Sequence, residues 1–143
     1  NRSSGSTALN HVTNGVAAFL KLDRRILIFP EGTRRAVGAP PAYKYGVTHL
    51  YTTLNARVMP VALNTGLFWP RRSFLRKPGT AVIEFLPVIE PGLSKEDFSE
   101  QLQAAVESGA ERLVEEALRF DPALAMAAPT KNPDSGAPAQ RSA

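Results

Sequence analysis

Cysteine is absent from this 143-residue chain, and histidine occurs only twice. The first absence excludes a disulfide framework and any thiolate metal site, and two isolated imidazoles are too few for a usual zinc centre. No run approaches the roughly 18 to 20 continuous apolar residues of a membrane-spanning helix. Neither a Gly-x4-Gly-Lys-[Ser/Thr] P-loop nor a Gly-x-Gly-x-x-Gly dinucleotide fingerprint is present, which disfavours nucleotide binding. Internal repeats are also missing. What remains is a length suited to one domain, with 43% hydrophobic residues to build its core.

The net charge of +4 is unevenly divided. Residues 1–92 hold 12 Lys+Arg against 4 Asp+Glu, whereas residues 93–120 hold 3 against 7. A basic face attracts phosphate, whether on nucleic acid, lipid headgroups or small metabolites, and charge alone does not choose among these.

Hydrophobic spacing organises the chain. Leu9, Val12, Val16, Phe19 and Leu20 recur at helical intervals, predicting a helix over about 7–21. The β-rich run Ile26-Leu27-Ile28-Phe29, stopped by Pro30, reads as a buried core strand. Val47, Leu50, Tyr51 and Leu54 share a helical face. Residues 57–64 form a second expected strand, with Pro60 implying an edge or a bulge, and residues 80–86 a third. Ser94 and Asp97 make an N-terminal capping signal for a helix over about 95–119, which Gly109 would bend. This order predicts an α/β fold: a partial, mostly parallel sheet flanked by helices, truncated on its N-terminal side, over residues 1–120. Residues 121–143, rich in Ala, Pro, Ser and Gly, are expected to form a disordered tail.

The sharpest chemical feature is Phe29-Pro30-Glu31-Gly32-Thr33-Arg34-Arg35, placed where the first expected strand ends. Ligands of open α/β sheets sit beyond strand carboxyl ends, and a glycine there lets backbone N–H groups approach an anion. Arg34 offers a planar donor fork matched to phosphate. Glu31 is suited to orient that guanidinium or to bond a substrate hydroxyl. A plain glycine turn bearing solvent-facing charges fits the same spacing.

This heptad resembles the third sequence block of the glycerolipid acyltransferases, the 1-acyl-glycerol-3-phosphate acyltransferase family, which reads Phe-Pro-Glu-Gly-Thr-Arg. Three further segments resemble that family in order and spacing: Asn1-Arg2 before a Ser/Gly stretch, Tyr43-Lys44-Tyr45-Gly46, and the proline-containing run Val58-Met59-Pro60-Val61-Ala62-Leu63. The resemblance implies acyl transfer from a thioester, on acyl-CoA or acyl carrier protein, to the free hydroxyl of lysophosphatidate, without a metal or redox cofactor. It further implies that Arg2, Glu31, Gly32, Thr33, Arg34 and Lys44 face the acceptor phosphate. Lys44 serves equally as a point charge on phosphate or as an ordinary helix-start residue.

In the family the general base lies in a His-x4-Asp block. Five residues after His11 stands Val16, and five after His49 stands Leu54, so this chain contains no such block and no catalytic residue is assigned. Both histidines read as ordinary helix residues. The chain is accordingly expected to be the C-terminal part of such an enzyme, inactive alone. A non-catalytic phosphate-binding or membrane-docking module is the competing reading.

A second constellation, residues 67–77, interleaves apolar and aromatic residues with basic ones. Phe68, Trp69, Arg71, Arg72 and Phe74 suit an anionic membrane surface, so the resemblance and this segment together place the chain peripherally on the cytoplasmic face of a membrane. The same segment would suit coenzyme A phosphates or an acidic carrier protein, or form a packed loop with snorkelling arginines. No nucleic-acid motif accompanies it, so nucleic acid is not an expected partner.

Overall fold

The computed structural model describes residues 2–70, 74 and 76–127, and the side chains of 9–70, 74 and 76–125. Within these, the chain forms a mixed α/β arrangement of three helices and one two-stranded sheet: α1 (Arg2–Lys21), α2 (Tyr45–Leu54), β1 (Val61–Leu63), β2 (Ile83–Phe85) and α3 (Lys95–Phe120).

Helix limits follow local chemistry. The Ser94 hydroxyl accepts a hydrogen bond from the Asp97 N–H at 3.0 Å and donates to the Asp97 carboxylate at 2.7 Å, closing the first turn of α3. Asn55 ends α2 by adopting a left-handed conformation (φ 46°, ψ 47°) that asparagine tolerates. Helix α1 begins earlier than the apolar stripe predicts.

The sheet departs from the expected parallel arrangement. β1 and β2 run antiparallel, with Val61 opposite Phe85, Ala62 opposite Glu84 and Leu63 opposite Ile83. The 19 residues between Leu63 and Ile83 return the chain in the antiparallel sense without an α-helical crossover among the described ones, and only a crossover would bring the second strand in parallel. Pairing continues past Pro60: its carbonyl accepts the Leu86 N–H at 3.0 Å, and Val58 bridges Ile89. Between these contacts one strand advances two residues and the other three, so a bulge falls over Pro87 and Val88. At the other end the Asn64 side chain accepts the Val82 N–H at 2.8 Å.

The core lies between the sheet and α3. Tyr51 and Phe98 stack with ring centroids 3.8 Å apart and planes within 6°, alongside Ile89 and Leu102. The Tyr51 hydroxyl donates to the Glu90 carbonyl at 2.7 Å and accepts from the Leu93 N–H at 3.0 Å, so this buried polar atom is satisfied twice. α3 continues unbroken through Gly109. The role of this glycine is close approach: an added Cβ would lie 2.7 Å from the Cβ of fully buried Ala62. On the same sheet face Glu84 pairs with Arg112 of α3.

Two expected burials are not found. Residues 26–29 join no ladder, and Leu27 and Phe29 are 76% and 68% exposed, so the reading of a core strand is corrected. An apolar run reports that a segment favours burial, but no other described strand lies beside it to bond its backbone. The opposite face of the sheet is likewise bare, with Leu63, Ile83 and Phe85 exposed. Beyond α3, Pro122–Ala127 forms a short 3-10 helix whose Leu124 is buried against Leu67 and Phe68. The rest of the expected tail, residues 128–143, lies outside the described residues.

Gly109→Val should lower stability by about 1–3 kcal/mol through overpacking, read as a lower urea midpoint with an unchanged slope. Adding Ala62→Gly, which clears the opposing methyl, should recover part of that loss.

Candidate functional site

Residues 30–44 form a loop closed on itself. The Lys44 N–H donates to the Pro30 carbonyl at 2.8 Å, and the Ala42 N–H donates to the Glu31 carboxylate at 2.8 Å. Arg35 lies beside the same carboxylate, Nε to Oε1 3.4 Å, as an ion pair without hydrogen-bond alignment. Glu31 therefore holds Arg35 and the far limb of the loop. Gly32 supplies the bend: its φ is +67°, its N–H donates to the Phe29 carbonyl at 3.0 Å, and nothing lies within 4 Å of an added Cβ. The requirement for glycine there is conformational, since the left-handed region is strained for other residues.

This bend turns Arg34 outward to the rim of a cleft of about 1610 Å³. Glu31, Thr33, Arg34 and Lys44 line it together with Leu63 and Asn64 at the end of β1 and residues of α3. The Arg34 guanidinium carbon sits 5.4 Å from the centroid of the Trp69 ring, and none of the ion pairs among the described residues uses Arg34. Lys44 stands at the N-terminus of α2 without a side-chain cap bond. Arg2 begins α1, but its side chain lies outside the described residues. Thus four of the six expected acceptor residues line one cleft and Gly32 shapes its rim.

Glu100, Glu107 and Glu111 of α3 also line the cleft. Glu107 accepts a hydrogen bond from the Tyr43 hydroxyl at 2.9 Å and so ties the loop to α3. Burial, this bond and the charges of Glu107 and Glu31 raise the Tyr43 pKa well above its ordinary value, because each disfavours a phenolate.

Other side chains acquire roles that spacing does not reveal. Phe68, expected at a membrane surface, is only 8% exposed and packs with Leu67 and Leu124, so that expectation is corrected. The cause is local: the Lys77 N–H donates to the Phe68 carbonyl at 3.0 Å, and Gly79, lacking a Cβ, lets the ring lie against the backbone. Trp69 is 49% exposed and Phe74 fully so, while Arg71 and Arg72 lie outside the described residues. His11 is exposed on α1, whereas His49 has a buried Nε2 with no partner among the described residues. No described helix is long and apolar enough to cross a membrane.

Over 117 residues, 82% of its length, the chain is 32% identical to a 1-acyl-sn-glycerol-3-phosphate acyltransferase of Pseudomonas aeruginosa, covering 44% of that relative. Proteins of the same name from Cocos nucifera and Limnanthes alba are each 28% identical, over 90 and 89 residues, or 62% of this chain and 29% and 32% of theirs. The chain belongs to the 1-acyl-sn-glycerol-3-phosphate acyltransferase family. It spans less than half the length of these relatives. No family model and no solved structure matches it.

Two measurements test this geometry. Glu31→Ala leaves the Ala42 N–H without its acceptor and should cost about 1–3 kcal/mol, with faster amide exchange at Ala42 and Lys44; Glu31→Gln, which keeps an acceptor oxygen, should restore most of the protection. Because the Tyr43 phenol ionises at higher pH in the folded than in the unfolded chain, its contribution to stability is complete below the ordinary tyrosine pKa of about 10. It is lost as pH rises through the higher folded value. Tyr43→Phe should remove that alkaline component of the stability profile.

Proposed function

We propose that this chain carries the acceptor-phosphate-binding part of an enzyme that transfers an acyl group from a thioester to the hydroxyl of lysophosphatidate, giving phosphatidate for phospholipid synthesis. The observation that carries the reading is Arg34: the cation of the family's third block stands at a cleft rim, exposed and without a carboxylate partner among the described residues. A guanidinium in that setting retains its donors for an incoming phosphate monoester, and charge-assisted bonds of this kind contribute roughly 1.5–3 kcal/mol each. Gly32 and Thr33 shape the approach, Lys44 adds positive potential, and Arg2 is assigned to the same acceptor group by resemblance.

The chemistry requires the acceptor hydroxyl to lose its proton as its oxygen attacks the thioester carbonyl, with the thiol of coenzyme A or acyl carrier protein departing. A histidine of near-neutral pKa is suited to take that proton. The His-x4-Asp block that would supply it is not in this sequence, so we assign the base to another part of the intact protein and expect no turnover from these 143 residues alone. The bare apolar residues Leu27, Ile28, Phe29 and Leu63 fit the same picture, as surfaces that further parts of the intact protein would cover. Peripheral attachment to the cytoplasmic face of a membrane also belongs to this reading.

In the intact enzyme, Arg34→Ala should lower kcat/KM for lysophosphatidate roughly ten- to hundredfold, the loss of one charge-assisted contact. Unchanged kinetics would remove Arg34 from the acceptor site. The isolated chain should release no thiol from an acyl-CoA in the presence of lysophosphatidate, and turnover there would place a base within these residues.

A further inference from the structure

We propose that Trp69 is the positioning residue for Arg34, and that Arg76, held by the same indole, is a second ligand for the acceptor phosphate. The two loops would then close a two-guanidinium clamp on a phosphate monoester. This inference rests on the phosphate-binding reading of Arg34 and assigns a different role to the segment otherwise read as a membrane contact.

The clamp is built from two independently fastened loops. On one side, the Lys77 N–H bond to the Phe68 carbonyl brings the two limbs of the loop together and sets Trp69 beside Arg76, whose guanidinium carbon lies 4.1 Å from the indole centroid. Trp69 itself is anchored by its N–H, which donates to the Thr65 carbonyl at 2.9 Å, and by its buried neighbour Phe68. On the other side, the closed loop of residues 30–44 carries Arg34 to the same ring from 35 positions away in sequence. An indole face is the best aromatic partner for a guanidinium, so the ring sets where both cations rest.

Two like charges on one ring repel each other, and among the described residues neither is neutralised by a carboxylate. An anion shared between them removes that repulsion and uses the planar donor forks of both. Phosphate suits this better than a carboxylate, because its several oxygens can accept from two forks at once. Trp69 and Arg34 line the cleft and Arg76 lies against the same indole, so the shared anion would sit beside that ring. Because Phe68 is packed in the core, the segment does not present a continuous aromatic face for lipid, and the ring of Trp69 is already engaged by cations.

Trp69 is the only tryptophan in the chain, so its emission reports on the clamp directly. Titration with glycerol 3-phosphate at constant ionic strength should give a saturable change in emission. Arg34→Gln and Arg76→Gln should each weaken binding about tenfold or more, with unchanged circular dichroism. Calorimetry extends the test to the ring itself: Trp69→Ala should weaken binding comparably, and Trp69→Phe should retain most of it. If Arg34→Gln weakens binding while Arg76→Gln and Trp69→Ala do not, the clamp is overturned and the phosphate reading of Arg34 stands. If Arg34→Gln has no effect, or no phosphate monoester binds, the phosphate reading falls and the clamp with it. A response to vesicles containing anionic lipid, with none to glycerol 3-phosphate, would identify the segment as a membrane contact and also overturn the clamp.

Discussion

α3 packs directly against β1 beside the cleft. That approach depends on Gly109 facing Ala62, where even one additional methyl group has no room. With the helix at that distance, Glu84 reaches Arg112 across the interface, and Glu107 stands where the Tyr43 hydroxyl can donate to it. The motif-bearing loop is thereby fixed to α3 as well as to itself. A larger residue at either contact would displace the wall of the cleft and, through Tyr43, the loop that bears Arg34.

Within the loop, charge is divided between two neighbouring arginines. Arg35 lies against Glu31, whose carboxylate also accepts the Ala42 N–H, and so serves the loop's own closure. Arg34 remains exposed against Trp69. Glu31 was a reasonable candidate to orient Arg34 from spacing alone, but the left-handed bend at Gly32 directs consecutive side chains differently and gives Glu31 the other guanidinium. A structural role for Glu31 in holding the loop does not prevent the same carboxylate from facing an acceptor, since Glu31 also lines the cleft.

The bare apolar surface carries a related physical message. Helix α1 exposes much of Val12, Phe19 and Leu20, residues 26–29 expose Leu27 and Phe29, and one face of the sheet exposes Ile83 and Phe85. These side chains follow the periodicities of buried elements, yet among the described residues nothing covers them. The match covers only 44% of the Pseudomonas aeruginosa relative, which accommodates the reading that further parts of the intact protein pack there.

Sequence alone determined the features that depend on neighbours within a few positions. The start of α3 at Ser94, the presence of α1 and α2 and the turn at Gly32 all follow from side chains acting on their own or adjacent backbone. The family was legible for the same reason, since its third block is one uninterrupted run. Tertiary structure decided what contiguity does not encode: the antiparallel sense of β1 and β2, the close packing at Gly109, the burial of Phe68 and the meeting of Arg34 with Trp69. Each of these is a contact between segments far apart in the chain. Hydrophobic pattern specifies that such surfaces favour burial, whereas loop length, steric fit and backbone pairing select the partner.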